Sequence, residues 1–235
     1  MKTKRLIGQA ANLSLRLSVF ISLFVISCGG NSAKAAKMHF GLQASPELSW
    51  IKPNFAGAKY DGLTFGYKYG LYTAYDFTEH YSLSTGVQIS NRGGKFSYSD
   101  GIGIVPTSTH IHHQIQYLDI PLSLKMTTTE IGYITYYGEF GVLPSFRLKA
   151  RSDVENFVAG VTSDKTENIN SVKDINPINL ALHIGLGMQY SLSESTSLLM
   201  GLYINNGFTD ILHDTETIKF KANANQAGLT VGFLF

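Results

Sequence analysis

Beyond residue 37 the chain alternates apolar side chains with small or polar ones, again and again, with a period of two. Tyr81, Leu83, Thr85, Val87 and Ile89 interleave with Ser82, Ser84, Gly86, Gln88 and Ser90. Leu180, Leu182, Ile184, Leu186, Met188, Tyr190 and Leu192 alternate with Ala181, His183, Gly185, Gly187, Gln189 and Ser191. A helix would place apolar residues at every third or fourth position, so both stretches predict strands with one apolar face. No stretch after residue 37 has the ~20 consecutive apolar residues of a membrane helix, so any spanning must be done by strands.

Eight such segments are legible, near residues 38 to 51, 61 to 77, 80 to 93, 110 to 126, 130 to 151, 178 to 192, 196 to 207 and 221 to 235. Their connections alternate in length. Those near Phe77-Thr78-Glu79, Thr127-Thr128-Thr129 and Ser193-Glu194-Ser195 are short. Those over 51 to 60, 94 to 109, 152 to 177 and 208 to 220 are long and rich in Gly, Asn, Asp, Lys and Ser. Short turns at one end and long loops at the other characterise outer-membrane barrels, whose chain enters from the periplasm. The expected fold is therefore all-β: an eight-stranded antiparallel up-and-down transmembrane β-barrel of a Gram-negative outer membrane. A soluble sandwich has no reason to keep that parity.

The N-terminus agrees with export. Lys2, Lys4, Arg5 and Arg16 precede an apolar run from Leu17 to Ile26, too short to span but of signal-peptide length. Two processing sites compete. Ala33-Lys34-Ala35 fits the small-x-small rule and divides the chain into a removed signal, 1–35, and a barrel domain, 36–235. Val25-Ile26-Ser27-Cys28 resembles a lipobox that would lipidate Cys28, the only cysteine. The first is the expected cut, because a barrel needs no lipid anchor. Charged residues make up only 15% of the chain, against about 25% in soluble domains, which suits an apolar exterior. Nineteen basic against seventeen acidic residues give +2, no reason to expect a nucleic-acid partner.

An eight-stranded barrel has an interior only wide enough for side chains. Parity directs Tyr117, Asp119, Ser123 and Lys125 inward and Leu118, Ile120, Leu122 and Leu124 outward. It likewise directs Glu139, Arg147 and Lys149 inward, with Glu47 and Lys68 on the inner faces of the first two strands. Buried charges are costly unless paired. Glu47, Asp119 and Glu139 are thus expected to meet Lys68, Lys125, Arg147 and Lys149 in a structural plug, with a proton or ion path as the alternative. Trp50, Tyr67, Tyr69, Tyr75 and Tyr136 face outward near strand ends, where aromatic rings suit the membrane interface. Pro121 donates no ladder hydrogen bond, so a bulge or local break is expected there.

Motifs for chemistry are sparse, and no cofactor is expected. His110, His112 and His113 could contribute two imidazoles to a metal, but no convincing third ligand is visible. Ser108, His110 and Asp100 could be imagined as a triad at the rim, yet no Gly-x-Ser-x-Gly elbow is present. Gly101-Ile102-Gly103 is a loop signal, since no phosphate-binding helix follows. The last strand carries Leu229, Val231, Phe233 and Phe235 on one face, resembling the terminal aromatic signal read by the outer-membrane assembly machinery.

The stretch Tyr117-Leu118-Asp119-Ile120-Pro121-Leu122-Ser123-Leu124-Lys125 resembles the signature of the PorT-like outer-membrane β-barrel family. Ile131-Gly132-Tyr133 leading to Gly138-Glu139-Phe140-Gly141, and Asn205-Asn206-Gly207-Phe208-Thr209-Asp210, match as well. The resemblance implies an outer-membrane barrel in contact with outer-membrane lipid and, during biogenesis, the assembly machinery. Because the namesake branch belongs to a secretion system, it also implies envelope or secretion proteins as partners.

Overall fold

The computed structural model describes residues 37–54, 57–100, 107–158, 161–212 and 222–235. The expected signal segment, its two cleavage sites and Cys28 lie outside them. Among the described residues eleven strands form one antiparallel sheet: β1 (Met38–Pro53), β2 (Ala58–Tyr60), β3 (Thr64–Asp76), β4 (Tyr81–Asp100), β5 (Thr107–Asp119), β6 (Leu122–Thr127), β7 (Ile134–Val158), β8 (Val161–Asn170), β9 (Ile178–Ser191), β10 (Ser197–Gly207) and β11 (Ala222–Leu234). Each wall strand pairs with the next along the chain, and β1 pairs with β11 from Gly41↔Leu234 to Pro53↔Ala222. The sheet therefore closes on itself. With β5 and β6 sharing one place, the ring has eight positions: β1, β3, β4, β5/β6, β7, β9, β10 and β11.

The interruption between β5 and β6 falls on Ile120 and Pro121, as the missing proline N–H predicts. The Ile120 amide leaves the ladder register and donates to the Pro144 carbonyl at 2.9 Å. Two expected loops are largely strand. β4 continues to Asp100 and β7 to Val158, and β8 folds back along β7, so most of 94–109 and 152–177 is hairpin. The polarity of the two faces inverts there. Lys95, His112, Arg151 and Asp153 point outward while Phe96, Ile111 and Val154 turn inward, and a pattern with polar residues on the accessible face reads as loop in a barrel that is apolar outside.

Lower on the wall the exterior is apolar. Phe40, Leu42, Tyr69, Leu71, Leu122, Phe140, Leu186, Leu202 and Val231 are all exposed. A continuous apolar belt of this kind is untenable in water and is what a bilayer requires. Trp50, Tyr67, Tyr69, Tyr75 and Tyr136 sit on this outer face, with Tyr67 and Tyr69 stacked at 6.3 Å between ring centroids. Phe233 and Phe235 are exposed at the turn-bearing end, where the Phe235 and Phe40 backbones exchange hydrogen bonds of 2.7 and 3.2 Å.

Candidate functional site

The barrel lumen gathers most of the buried charge. Glu47 on β1 accepts hydrogen bonds from Ser90 at 3.0 Å and from the Tyr203 hydroxyl at 2.6 Å. The ammonium of Lys68 lies 3.8 Å from the centroid of the Tyr203 ring. One layer outward, Arg92 bonds Asp119 at 3.1 Å and Ser145 at 2.9 Å, with its guanidinium 4.2 Å from the Tyr117 ring centroid. Toward the short turns, Glu139 accepts from Tyr72 at 2.8 Å and stands 3.5 Å from His183. His183 continues to Asn205 at 2.6 Å, and Asn205 donates to Gln226 at 2.9 Å. Lys125 lies 4.6 Å from the Tyr137 ring centroid and 5.2 Å from that of Tyr72.

Inward placement thus holds for Glu47, Lys68, Asp119, Lys125, Glu139 and Arg147 but not for Lys149. Opposite Gln116 and Tyr117, β7 pairs Lys149 and then Arg147, so Leu148 is an extra residue. That bulge reverses the face of everything beyond it, and Lys149 stands exposed on the outer wall. The pairing also differs from expectation. The partner of Asp119 is Arg92, that of Glu139 is His183, and the lysines lie over tyrosine faces, which attract cations through the ring quadrupole. Arg147 donates to the carbonyls of Val172 and Ile175 and so ties the wall to the loop above it. Beyond Tyr137, which strand parity already turns inward, the network takes in Arg92, His183, Tyr72 and Tyr203, none of them among the residues that parity singles out as lumen charges. Their inward parity is readable strand by strand, but the height at which they meet is set by stagger around the ring.

Close packing leaves little room at mid-height. Tyr137 lies flat over its neighbours because Gly187 and Gly201 have no side chain; a Cβ at either would stand 2.5 or 2.3 Å from the tyrosine hydroxyl. The free space among Lys68, Tyr72, Gln88, Glu139, His183 and Tyr203 is ≈ 30 Å³, about the share of one water molecule in the liquid. A wider vestibule of ≈ 590 Å³ opens at the short-turn end, where His39, Asp76 and Lys125 contribute to the lining.

The other end is closed by apolar side chains. Ile51, Phe96, Ile115, Tyr117, Ala150 and Ala224 from the wall pack with Ile175, Ile211 and Leu212 from the loops. Asn176 holds those loops together, its amide donating to the carbonyls of Asp210 at 2.8 Å and Leu212 at 2.9 Å.

The three histidines at the outer rim do not converge. His110 bonds Asp61 at 2.5 Å, His112 stands 3.8 Å from Asp153, and His113 turns inward to Ser152 at 2.6 Å. Among the described residues no group of three or more His, Cys, Asp or Glu side chains is placed to hold a metal ion. The carboxylate bonded to His110 is that of Asp61, while Ser108 pairs in register with Ser99 and Phe157. Burial lowers the His113 pKa to about 4, with the neighbouring His112 adding to the effect. At the tip of the same wall, hydrogen bonds from Lys165 to Glu155 and Glu167 hold its ammonium above the ordinary lysine range.

A closed antiparallel ring, apolar outside at mid-height and filled with cross-bonded polar groups inside, defines a membrane-spanning β-barrel. The chain belongs to the outer membrane protein beta-barrel domain family, whose model matches residues 29–213, and its location is the outer membrane. Among solved structures it is similar to Neisserial surface protein A, at 11% identity over 86% of this chain and 98% of that one, with a TM-score of 0.43. It is also similar to OprG from Pseudomonas aeruginosa, at 14% identity over 84% and 94% of the two chains and a TM-score of 0.39. A third is Ail, the attachment invasion locus protein of Yersinia pestis, at 12% identity over 85% and 99%, with a TM-score of 0.35. Among curated proteins none matches.

Proposed function

We propose that this barrel is a non-enzymatic outer-membrane protein of structural or interaction type, whose lumen is a plug and whose outer hairpins present a surface to external partners. The observation that carries the reading is the double closure of the lumen. A cross-barrel network leaves ≈ 30 Å³ at mid-height, and an apolar cluster seals the mouth above it. An ion would have to break Arg92–Asp119 and then pass Ile175 and Ile211, whose side chains cannot replace its hydration. The hairpins of β4 with β5 and of β7 with β8 rise past the apolar belt and carry the exposed polar surface. The resemblance of residues 117–125 to PorT-like barrels supports a link to secretion or envelope assembly, with envelope or secretion proteins as partners. Phe233 and Phe235, exposed at the periplasmic rim, suit recognition by the assembly machinery during biogenesis.

Planar-bilayer recording tests the plug. The expected trace is flat at voltages where small porins conduct; a steady, sizeable conductance would establish a transport channel instead. Turnover of lipid abolished by Ser108→Ala or His110→Ala would establish a rim enzyme.

A further inference from the structure

The lower edge of the polarity inversion can be followed rung by rung around one side of the wall. Ile89, Leu118 and Phe146 pair in register across β4, β5 and β7 and make the last fully apolar row on the outer face. The next outward-facing row is Asn91, Gln116 and Lys149, and the one above it is Gly93, Gln114 and Arg151. Lys149, Arg151 and Gln114 are exposed. Carboxylates begin only one row higher, with Lys95, His112 and Asp153. Two cations and three neutral amides therefore occupy the strip directly above the hydrocarbon boundary, with no acidic residue among them.

The strip is concave, a hollow of ≈ 550 Å³, and Phe65 and Tyr67 of β3 flank it at the same height. Aromatic rings mark the interface with lipid headgroups. An ordinary solvated surface mixes both signs of charge, and the wall just above this strip does so, with Asp61, Asp153, Glu155 and Glu167 set among Lys95 and Lys165. Lys149 owes its place here to the Leu148 bulge, without which it would point into the lumen.

We propose that this hollow seats the phosphate of an outer-leaflet lipid headgroup, with Lys149 and Arg151 as its charged ligands and Gln114, Gln116 and Asn91 supplying neutral hydrogen bonds. The guanidinium of Arg151 offers a planar fork matched to phosphate oxygens, and the Lys149 ammonium adds a point charge one rung nearer the hydrocarbon. Phe65 and Tyr67 pack against the first methylenes of the acyl chains. The site rests on the membrane-spanning barrel alone and is independent of the plug and partner readings.

The test is native mass spectrometry of the purified barrel in detergent, with bis-phosphorylated lipid A as probe and enzymatically dephosphorylated lipid A of identical acyl chains as its control. The phosphorylated form is expected to remain bound preferentially. K149Q/R151Q should weaken that binding about tenfold to thirtyfold, from about 1 kcal/mol per cation at an anionic surface, and leave binding of the dephosphorylated form unchanged. K59Q/K173Q, which removes two exposed lysines elsewhere, should change neither. Millimolar inorganic phosphate should not displace the lipid; displacement would assign the site to free phosphate. Equal retention of the two lipids, or an unchanged preference in K149Q/R151Q, overturns the proposal. Wild-type protein gives an independent reading, because a preference built on exposed charge must fall with rising ionic strength, and one indifferent to salt is incompatible with the site.

Discussion

The two halves of this barrel are built from the same strands with opposite polarity. From the row of Leu118 downward, β4, β5 and β7 turn Val87, Leu118 and Phe140 toward lipid and Gln88, Asp119 and Glu139 toward the lumen. Above it they turn Lys95, His112 and Arg151 toward water and Phe96, Ile115 and Ala150 toward the axis. Burial is thus defined by the solvent outside and not by the inside of the ring. In lipid the interior is the only place for polar groups, and they must satisfy one another there. In water the interior is the place for apolar side chains, as in a soluble protein.

The halves should therefore fail differently. The largest effect is expected for Arg92→Ala, which leaves the fully buried Asp119 without its cation and should lower unfolding free energy by about 3–5 kcal/mol in urea titrations of the lipid-reconstituted barrel. Ile211→Ala opens a cavity in the apolar cap and should cost about 3 kcal/mol, read locally as faster hydrogen exchange over residues 171–177 with protection around Tyr72 and Tyr137 unchanged. Equal loss of protection in both halves would show that they are one cooperative unit.

The outer half should also respond to pH. His113 has its pKa lowered by burial to about 4, so the folded wall favours the neutral ring and the unfolded wall protonates first, near 6.5. Its stabilising effect is complete above the unfolded value and is lost as pH falls toward the folded one, about 2 kcal/mol by pH 5. Protection factors of residues 107–115 and 150–158, corrected for the intrinsic pH dependence of amide exchange, should be lower at pH 5 than at pH 7, and His113→Gln should shrink that difference. A change of similar size, about 1.5–3 kcal/mol, is expected for Tyr203→Phe, which deletes one of two side-chain hydrogen bonds to Glu47 and leaves Lys68 over the ring.

Much of this arrangement was legible beforehand. Alternation located all eight wall positions, and the break at Pro121 followed from a missing N–H. The continuation of β4 and β7 was not legible, because polar residues on the outer face beyond Lys95 and Lys149 look like loop unless the change of solvent along the strand is known. Nor could the cap be read, since Ile175, Ile211 and Leu212 lie in connections and acquire neighbours only when the mouth closes over them.

By itself the sequence determined the class of fold, the side of the wall on which most residues fall and the parity of the connections. Side-chain direction in a strand repeats every two residues, and that information is local. Tertiary structure alone decided which inward groups meet. Glu47 and Tyr203 are 156 residues apart and touch only because β1 and β10 stand at matching heights across a narrow lumen. It also decided the place of Lys149, where one extra residue in β7 moved a charge from the axis to the outer wall. Register and stagger are properties of the closed ring, and no single strand carries them.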